Sequence, residues 1–277
     1  MGREENVKIF EDSMRLCKEH ARLIKATVGS IVTQKIILEK DMLPGIEKEI
    51  YKEATELVIS RKRSFEAASA YKGQKVCVLN FASAGNPGGG VVKGASAQEE
   101  CLCRCSNLYP CLNTQKMWDG FYKPHRNARN PIHNDDIIYT PDVVVFKSDT
   151  ANPGLLPESE WYEVNVISCA APNLRACPGN SYNSGDGDKP AKLTDKALKE
   201  LHEKRLRRIM DVAVMEGNEV VILGAFGCGA FANNPEVVAM AAKAVIPEYR
   251  HAFKTIEFAV YCSPKDETNY KVFERML

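Results

Sequence analysis

The sequence predicts an α/β fold, a sheet flanked by helices, on three observations. Several short apolar runs read as buried strands, helical patterns separate them, and two of the runs end in glycine-rich turns that lead into helices. In residues 5–27, Val7, Phe10, Met14, Leu16, Cys17, Ala21 and Ile24 recur at helical spacing and predict one N-terminal helix. Ile31, Val32, Ile36 and Ile37 suggest a short strand or turn within Ser30–Leu38, and a weaker helical pattern covers Ser64–Tyr71. Lys75–Phe81 reads as a buried strand that runs directly into a loop ending in Gly88-Gly89-Gly90. Further strands are expected at Val143–Phe146, Val164–Cys169, Val220–Leu223 and Thr255–Val260, with helices at about 97–108, 191–216 and 235–248. Gly217-Asn218 supplies a stop after the second of these helices. Asn173–Lys189 is polar and rich in Gly, Asn, Asp and Pro, which predicts a mobile surface loop; Asn127–Asn134 reads as loop too. Without repeat or linker, the pattern predicts a single domain over 1–277. A helical extension would reach to about residue 72, with the core from about 73.

Bulk composition excludes several classes. A 44% hydrophobic and 26% charged content is that of an ordinary globular protein. Net charge is +1, so no global field draws the chain to nucleic acid or membrane, and any anion site must be local. Residues 2–8 are too charged for a secretory signal, and no apolar stretch approaches the roughly 20 residues that span a bilayer. A cytoplasmic location is expected. Ten cysteines then read as free thiols rather than a disulfide framework. Cys101, Cys103, Cys105 and Cys111 crowd together, but C-x-C-x-C-x5-C without histidine is not a zinc pattern, so no metal is expected. Small buried thiols packing a helix is the reading for them.

Residues 86–100, from Asn86-Pro-Gly88-Gly89-Gly90 to Gln98-Glu99-Glu100, carry the strongest chemical signal. Glycine lets backbone approach a ligand closely, and the two carboxylates arrive where the first amides of a helix are unpaired. Ser96 and Glu99 fit a capping box, a purely structural role that leaves Glu100 unexplained. A second loop, Gly224–Phe231, follows the Val220–Leu223 strand and includes Gly227-Cys228-Gly229-Ala230-Phe231. Asn234 and Pro235 then open a helix as N-cap and first helical residue. Strand, glycine turn and helix start make a backbone cradle for a diphosphate. The loop is neither a G-x-G-x-x-G fingerprint nor a P-loop. His202 and the run Lys204–Arg208 read as a solvated helix face.

Taken together, the two loops resemble those of the microbial-type poly(ADP-ribose) glycohydrolases, which are macrodomain enzymes. The resemblance runs through nearly the whole chain, including the N-terminal helical extension. It implies a macrodomain-like mixed central sheet flanked by helices, with ADP-ribose in a crest cleft. It further implies that Glu100 is the catalytic acid/base and that Glu99 contacts ribose hydroxyls. Asn86 would bind the terminal ribose and Phe231 would orient that ribose beside the diphosphate. Gly88, Gly89, Gly90 and Gln98 fall in the implied catalytic loop, and Gly227, Cys228, Gly229 and Ala230 in the implied diphosphate loop. The implied substrate is poly(ADP-ribose) or an ADP-ribosylated protein, with ADP-ribose as product of exo-action. No cofactor, membrane or sequence-specific nucleic acid is implied. A non-catalytic ADP-ribose reader and a mono-ADP-ribosyl-protein hydrolase are the alternatives; a reader has no need of the Gln98-Glu99-Glu100 triplet.

Elementary chemistry agrees with that assignment. Cleavage at a ribose anomeric carbon builds oxocarbenium character, and a carboxylic acid can protonate the departing oxygen. Two adjacent helix residues cannot flank a sugar, so one glutamate must act as acid and then as base. Burial and a nearby diphosphate would raise the pKa of Glu100, and the helix dipole would lower it.

Overall fold

The computed structural model describes residues 2–180, 184–263 and 266–277. Its strands are β1 Lys35–Ile37, β2 Glu56–Ser60, β3 Val76–Phe81, β4 Ile137–Val145, β5 Tyr162–Cys169, β6 Val220–Leu223 and β7 Thr255–Ala259. Among the described residues they form one seven-stranded sheet in the order β1-β4-β5-β3-β6-β7-β2. β4 runs antiparallel to β1 and β5, whereas β5, β3, β6, β7 and β2 pair in parallel, so the sheet is mixed. The helices are α1 Arg3–Glu19, α2 Ala21–Thr33, α3 Ser64–Ala68, α4 Gln98–Cys105, α5 Leu108–Leu112, α6 Gln115–Met117, α7 Lys123–Ala128, α8 Asp195–Met215, α9 Pro235–Val245 and α10 Thr268–Met276.

The central strands read as unbroken apolar runs because both faces of the sheet are covered. Alternation along β3 sends Cys77 and Leu79 to one face and Val76 and Val78 to the other. The first face packs against Ile209, Met210 and Ala213 of α8 and Val238 and Ala242 of α9. The second packs against Phe65 of α3, Leu102 of α4 and Leu108 of α5, with Phe121 and Tyr122 beside them. All ten cysteines are free, and Cys103, Cys105 and Cys111 are fully buried as packing groups.

Three local expectations differ from the structure. The single N-terminal helix is two, because His20 is extended (φ −85°, ψ 118°) and turns the chain so that α2 lies along β4. No glycine or proline marks that break. β4 begins at Ile137 rather than Val143, since Pro141-Asp142 is absorbed as an irregularity between Thr140 and Val143, where Asp142 takes φ 54°. The segment up to residue 72 carries strands as well as helices, and β1 and β2 form opposite edges of the sheet.

Candidate active site

A cleft of about 620 Å³ opens at the C-terminal ends of the parallel strands, where ligands of open α/β sheets bind. The parallel strands deliver short pieces of wall: Arg63 and Ser64 follow β2, Phe81 ends β3 and Ser83 follows it, Ala171 follows β5, and Tyr261 follows β7. Gly227, Gly229, Ala230 and Phe231 line it from the loop after β6, and Gly89, Gln98, Glu99 and Glu100 from the loop and helix after β3.

Glu99 and Glu100 are both buried, at 3% and 7% exposure. The capping box expected of Ser96 and Glu99 does not form. Ala97 is the N-cap of α4 without any side-chain cap, and the Glu99 carboxylate turns away to β3. There it accepts from the Ser83 amide at 2.7 Å and from Asn80 Nδ2 at 3.2 Å. Glu100 Oε1 accepts from the Gly90 amide at 2.9 Å, and its Oε2 is buried without a hydrogen-bond partner. Burial pushes the Glu99 carboxyl up to about 8, with the neighbouring Glu100 charge adding to it and the Ser83 amide and Asn80 opposing. Burial raises Glu100 as well, against the Gly90 amide, the first amides of the helix and Arg104. Desolvation therefore outweighs the helix start at both carboxyls.

Gly89 shows why this loop is glycine. With φ +57° it presses on both acids, and a Cβ there would lie 2.6 Å from Glu100 Oε1 and 3.1 Å from Glu99 Oε2. Gln98 has a different task from the acids. Its Oε1 accepts from the Phe81 amide at 2.9 Å, and its Nε2 donates to Leu79 O and Ser64 Oγ, so it ties the start of α4 to β3 and α3. Asn86 is half-buried and stands outside the cleft lining, with Arg126 donating to its Oδ1 and, at 2.6 Å, to Gly85 O. Gly88 packs beneath the loop near Tyr109 and Cys103.

In the second loop the expected N-cap is present: Asn234 Oδ1 accepts from the Glu236 amide at 3.0 Å, with Pro235 as the first residue of α9. Among the described residues, the amides of Gly229, Ala230 and Phe231 have no internal acceptor and remain available to a ligand anion. Cys228 points back into the protein; its thiol is pushed up to about 12 by burial and it does not line the cleft. The two glycines differ. Gly227 has φ +80°, and a Cβ there would meet Ala171 Cβ at 2.7 Å and Asn233 Nδ2 at 2.8 Å, whereas one at Gly229 meets nothing within 4 Å. Gly227→Ala is expected to lower thermal stability by about 1–3 kcal/mol through strain and crowding. Gly229→Ala is expected to be neutral for folding, and parallel melts of the two variants check the contrast.

Several lining residues carry no sequence signal that we read. Arg3 and Asn6 of α1 reach the cleft, where Asn6 Nδ2 donates to Gly94 O at 2.9 Å. Arg175 places its guanidinium 5.8 Å from the Phe231 ring centroid, and Arg63 stands 4.0 Å above the ring of Tyr261. These three arginines are the cationic groups of a lining that also holds Glu99, Glu100 and Asp149, the last 4.0 Å from Arg63. Asn80 did leave a trace, as a polar residue inside the apolar run Val76–Phe81.

Of the polar residues read as solvated, His202 and Arg205 are buried, whereas Lys204 is exposed and Arg207 and Arg208 are half-buried. His202 is 3% exposed and lies 2.8 Å from Asn233 Oδ1. Arg205 is 1% exposed and donates to Asp135 at 2.7 Å and to Ala170 O at 2.6 Å. The 173–189 segment also departs from a plain surface loop: Asn173 Nδ2 donates to buried Asp186 at 2.7 Å, and Asp186 faces His133 Nε2 at 3.2 Å. Residues 181–183 of that segment lie outside the described residues.

The family model of the microbial-type PARG (poly(ADP-ribose) glycohydrolase) catalytic domain matches residues 4–148. The chain belongs to that family. Solved structures agree along its whole length. The poly(ADP-ribose) glycohydrolase of Thermomonospora curvata is 26% identical with a TM-score of 0.85, over 99% of this chain and 100% of that one. A second structure of that enzyme, bound to the inhibitor ADP-HPD, superposes with a TM-score of 0.80 at 26% identity, over the same shares of both chains. The Deinococcus radiodurans glycohydrolase in complex with ADP-ribose is 28% identical with a TM-score of 0.75, over 91% of this chain and 96% of that one. No curated protein matches. As a microbial-type PARG the chain is a glycosidase, and its mixed sheet between helices is the macrodomain-like fold of that family.

Proposed function

We propose that this microbial-type PARG hydrolyses the ribose–ribose O-glycosidic bond at the end of a poly(ADP-ribose) chain and releases ADP-ribose, with Glu100 as the acid and then the base. The observation that carries this reading is Glu100 Oε2, a buried carboxyl oxygen without a partner at the cleft wall. Its neighbour Oε1 is fixed by the Gly90 amide, so Oε2 is the oxygen left for the substrate.

Burial favours the protonated form of Glu100, and in that form it gives its proton to the oxygen leaving the anomeric carbon. The C–O bond breaks, water adds to the anomeric carbon, and the Glu100 carboxylate takes the water's proton. One product is ADP-ribose and the other is a chain one unit shorter with its hydroxyl restored. Glu99 holds the ribose hydroxyls, the amides of Gly229, Ala230 and Phe231 take the diphosphate, and Phe231 sets the ribose between them. Asn86 stands outside the cleft lining, with Arg126 on its Oδ1, and supports the glycine loop through its carbonyl, which accepts from the Gly89 amide at 3.0 Å. The same site accepts the terminal unit when the polymer is attached to a protein. The ADP-ribose and ADP-HPD complexes of the two relatives support an ADP-ribose cleft. Ten free cysteines suit a cytoplasmic enzyme, and among the described residues no helix is long and apolar enough to cross a membrane.

Two measurements test the reading. ADP-ribose is expected to raise the melting midpoint, since a ligand bound only by the folded chain at about 100 times its Kd adds about 2.7 kcal/mol. No shift at millimolar ADP-ribose removes the cleft assignment. Incubation with labelled poly(ADP-ribose) is expected to yield ADP-ribose from the first time points. Early oligomers would replace terminal with internal cleavage.

A further inference from the structure

We propose that the buried His202–Asn233 hydrogen bond holds the loop after β6 in its ligand-binding shape, which makes His202 a positioning residue for substrate binding. Asn233 is 2% exposed and sits inside the curl of the loop. Its Nδ2 meets three backbone carbonyls: Pro172 O at 2.7 Å, Gly227 O at 3.1 Å and Phe231 O at 3.2 Å. Its own amide also donates to Gly227 O, at 3.0 Å. One side chain thereby ties both ends of the 227–231 turn to the segment after β5. That turn keeps the amides of Gly229, Ala230 and Phe231 free of internal acceptors.

Three facing carbonyls fix which end of the Asn233 amide is nitrogen, so Oδ1 must look the other way, toward His202 Nε2 at 2.8 Å. An amide oxygen only accepts, so the imidazole carries its proton on Nε2 and donates. Burial pushes His202 down to about 4, so the ring stays neutral with a single N–H, and that N–H is committed to Asn233. The Phe226 ring, edge-on at 5.9 Å, holds the imidazole from the side. Without the donor, Oδ1 is orphaned in the interior, and it regains a partner only by shifting toward water, which draws Nδ2 off its three carbonyls and loosens the loop. His202 stands on α8, outside the cleft lining, so its effect on the ligand passes through Asn233.

This inference rests on the loop after β6 being the diphosphate cradle, and the experiment separates the two. The unmodified chain is first titrated with ADP-ribose by calorimetry; if it does not bind, the cradle reading itself fails. If it binds, His202→Phe, which keeps a flat ring but no donor, is expected to weaken ADP-ribose and raise KM for poly(ADP-ribose) roughly tenfold. Its kcat should stay within about threefold, because Glu100 is untouched. His202→Gln, which keeps an N–H donor, is expected to recover most of the affinity. Should His202→Phe fail to fold, His202→Met removes the donor with a more adaptable side chain and is read the same way. Unchanged Kd and KM in a folded donor-less variant overturn the proposal. So does a fall in kcat at constant KM, or a glutamine variant as weak as the phenylalanine one.

Discussion

Replacing Glu100 by glutamine is expected to abolish cleavage while leaving ADP-ribose bound. The amide keeps the shape of the side chain, and its oxygen can still accept from the Gly90 amide as Oε1 does now at 2.9 Å. It cannot give a carboxylic proton to the leaving oxygen or take one from water. Loss of acid/base catalysis costs about 10²–10⁴ in rate. On the proposed assignment one residue carries both halves, so the upper end of that range or beyond is expected. Single-turnover rates with labelled polymer, beside calorimetric titration with ADP-ribose, measure the two properties separately. A variant that still cleaves within tenfold of the parent would hand the acid role to Glu99. One that has lost ADP-ribose would make Glu100 a binding residue.

The buried acids should also cost the enzyme stability in a pH-dependent way. Glu99 is raised from an unfolded value of 4.5 to about 8 by burial and by Glu100. A carboxyl whose pKa is raised on folding adds stability that is complete below its unfolded value. That stability is lost as pH climbs through the folded value. A tenfold change in proton affinity between the folded and unfolded chain is worth about 1.4 kcal/mol, so several kcal/mol should disappear between pH 4.5 and pH 8. The melting midpoint is therefore expected to fall steadily across that window. Glu99→Gln should flatten the fall and melt higher than the parent at pH 8.5, because a neutral amide has no charge to desolvate. Asn80 can accommodate the change: its Oδ1 is buried without a partner, and by turning its amide it can receive the new Nε2–H. Thermal melts of parent and variant at pH 5 and pH 8.5 give the answer. Equal slopes would mean that Glu99 is already ionised in the folded protein at pH 5.

Much of this was legible from the chain. The runs at Val76–Phe81, Val164–Cys169 and Val220–Leu223 declare themselves because strands covered on both faces must be apolar throughout. The two glycine loops point to the same cleft because close backbone approach has few solutions other than glycine. What stayed hidden is polar residues that look inward. His202 and Arg205 lie three apart on α8 amid charged neighbours, and pattern alone assigns such a face to water. Each instead serves partners that only the tertiary fold brings within reach. Glu99 was misplaced for a related reason: local spacing offers it the helix start, while the Ser83 amide, sixteen residues back, offers a better bond. Strand β2 had no local signature either, since a five-residue edge strand is recognisable only beside its partner.

That partner sets an order for folding. β2 pairs in parallel with β7, beginning with Glu56 opposite Thr255, about 200 residues later in the chain. On a ribosome adding about 5–20 residues per second, β2 waits on the order of ten seconds or more before the strand it belongs beside has been made. Throughout that interval Leu57 and Ile59 are exposed, and the backbone of β2 is an open edge available to other chains. The sheet that carries the cleft is thus among the last parts of the molecule to close. Nascent chains that stop short of residue 255 are the ones expected to need chaperones.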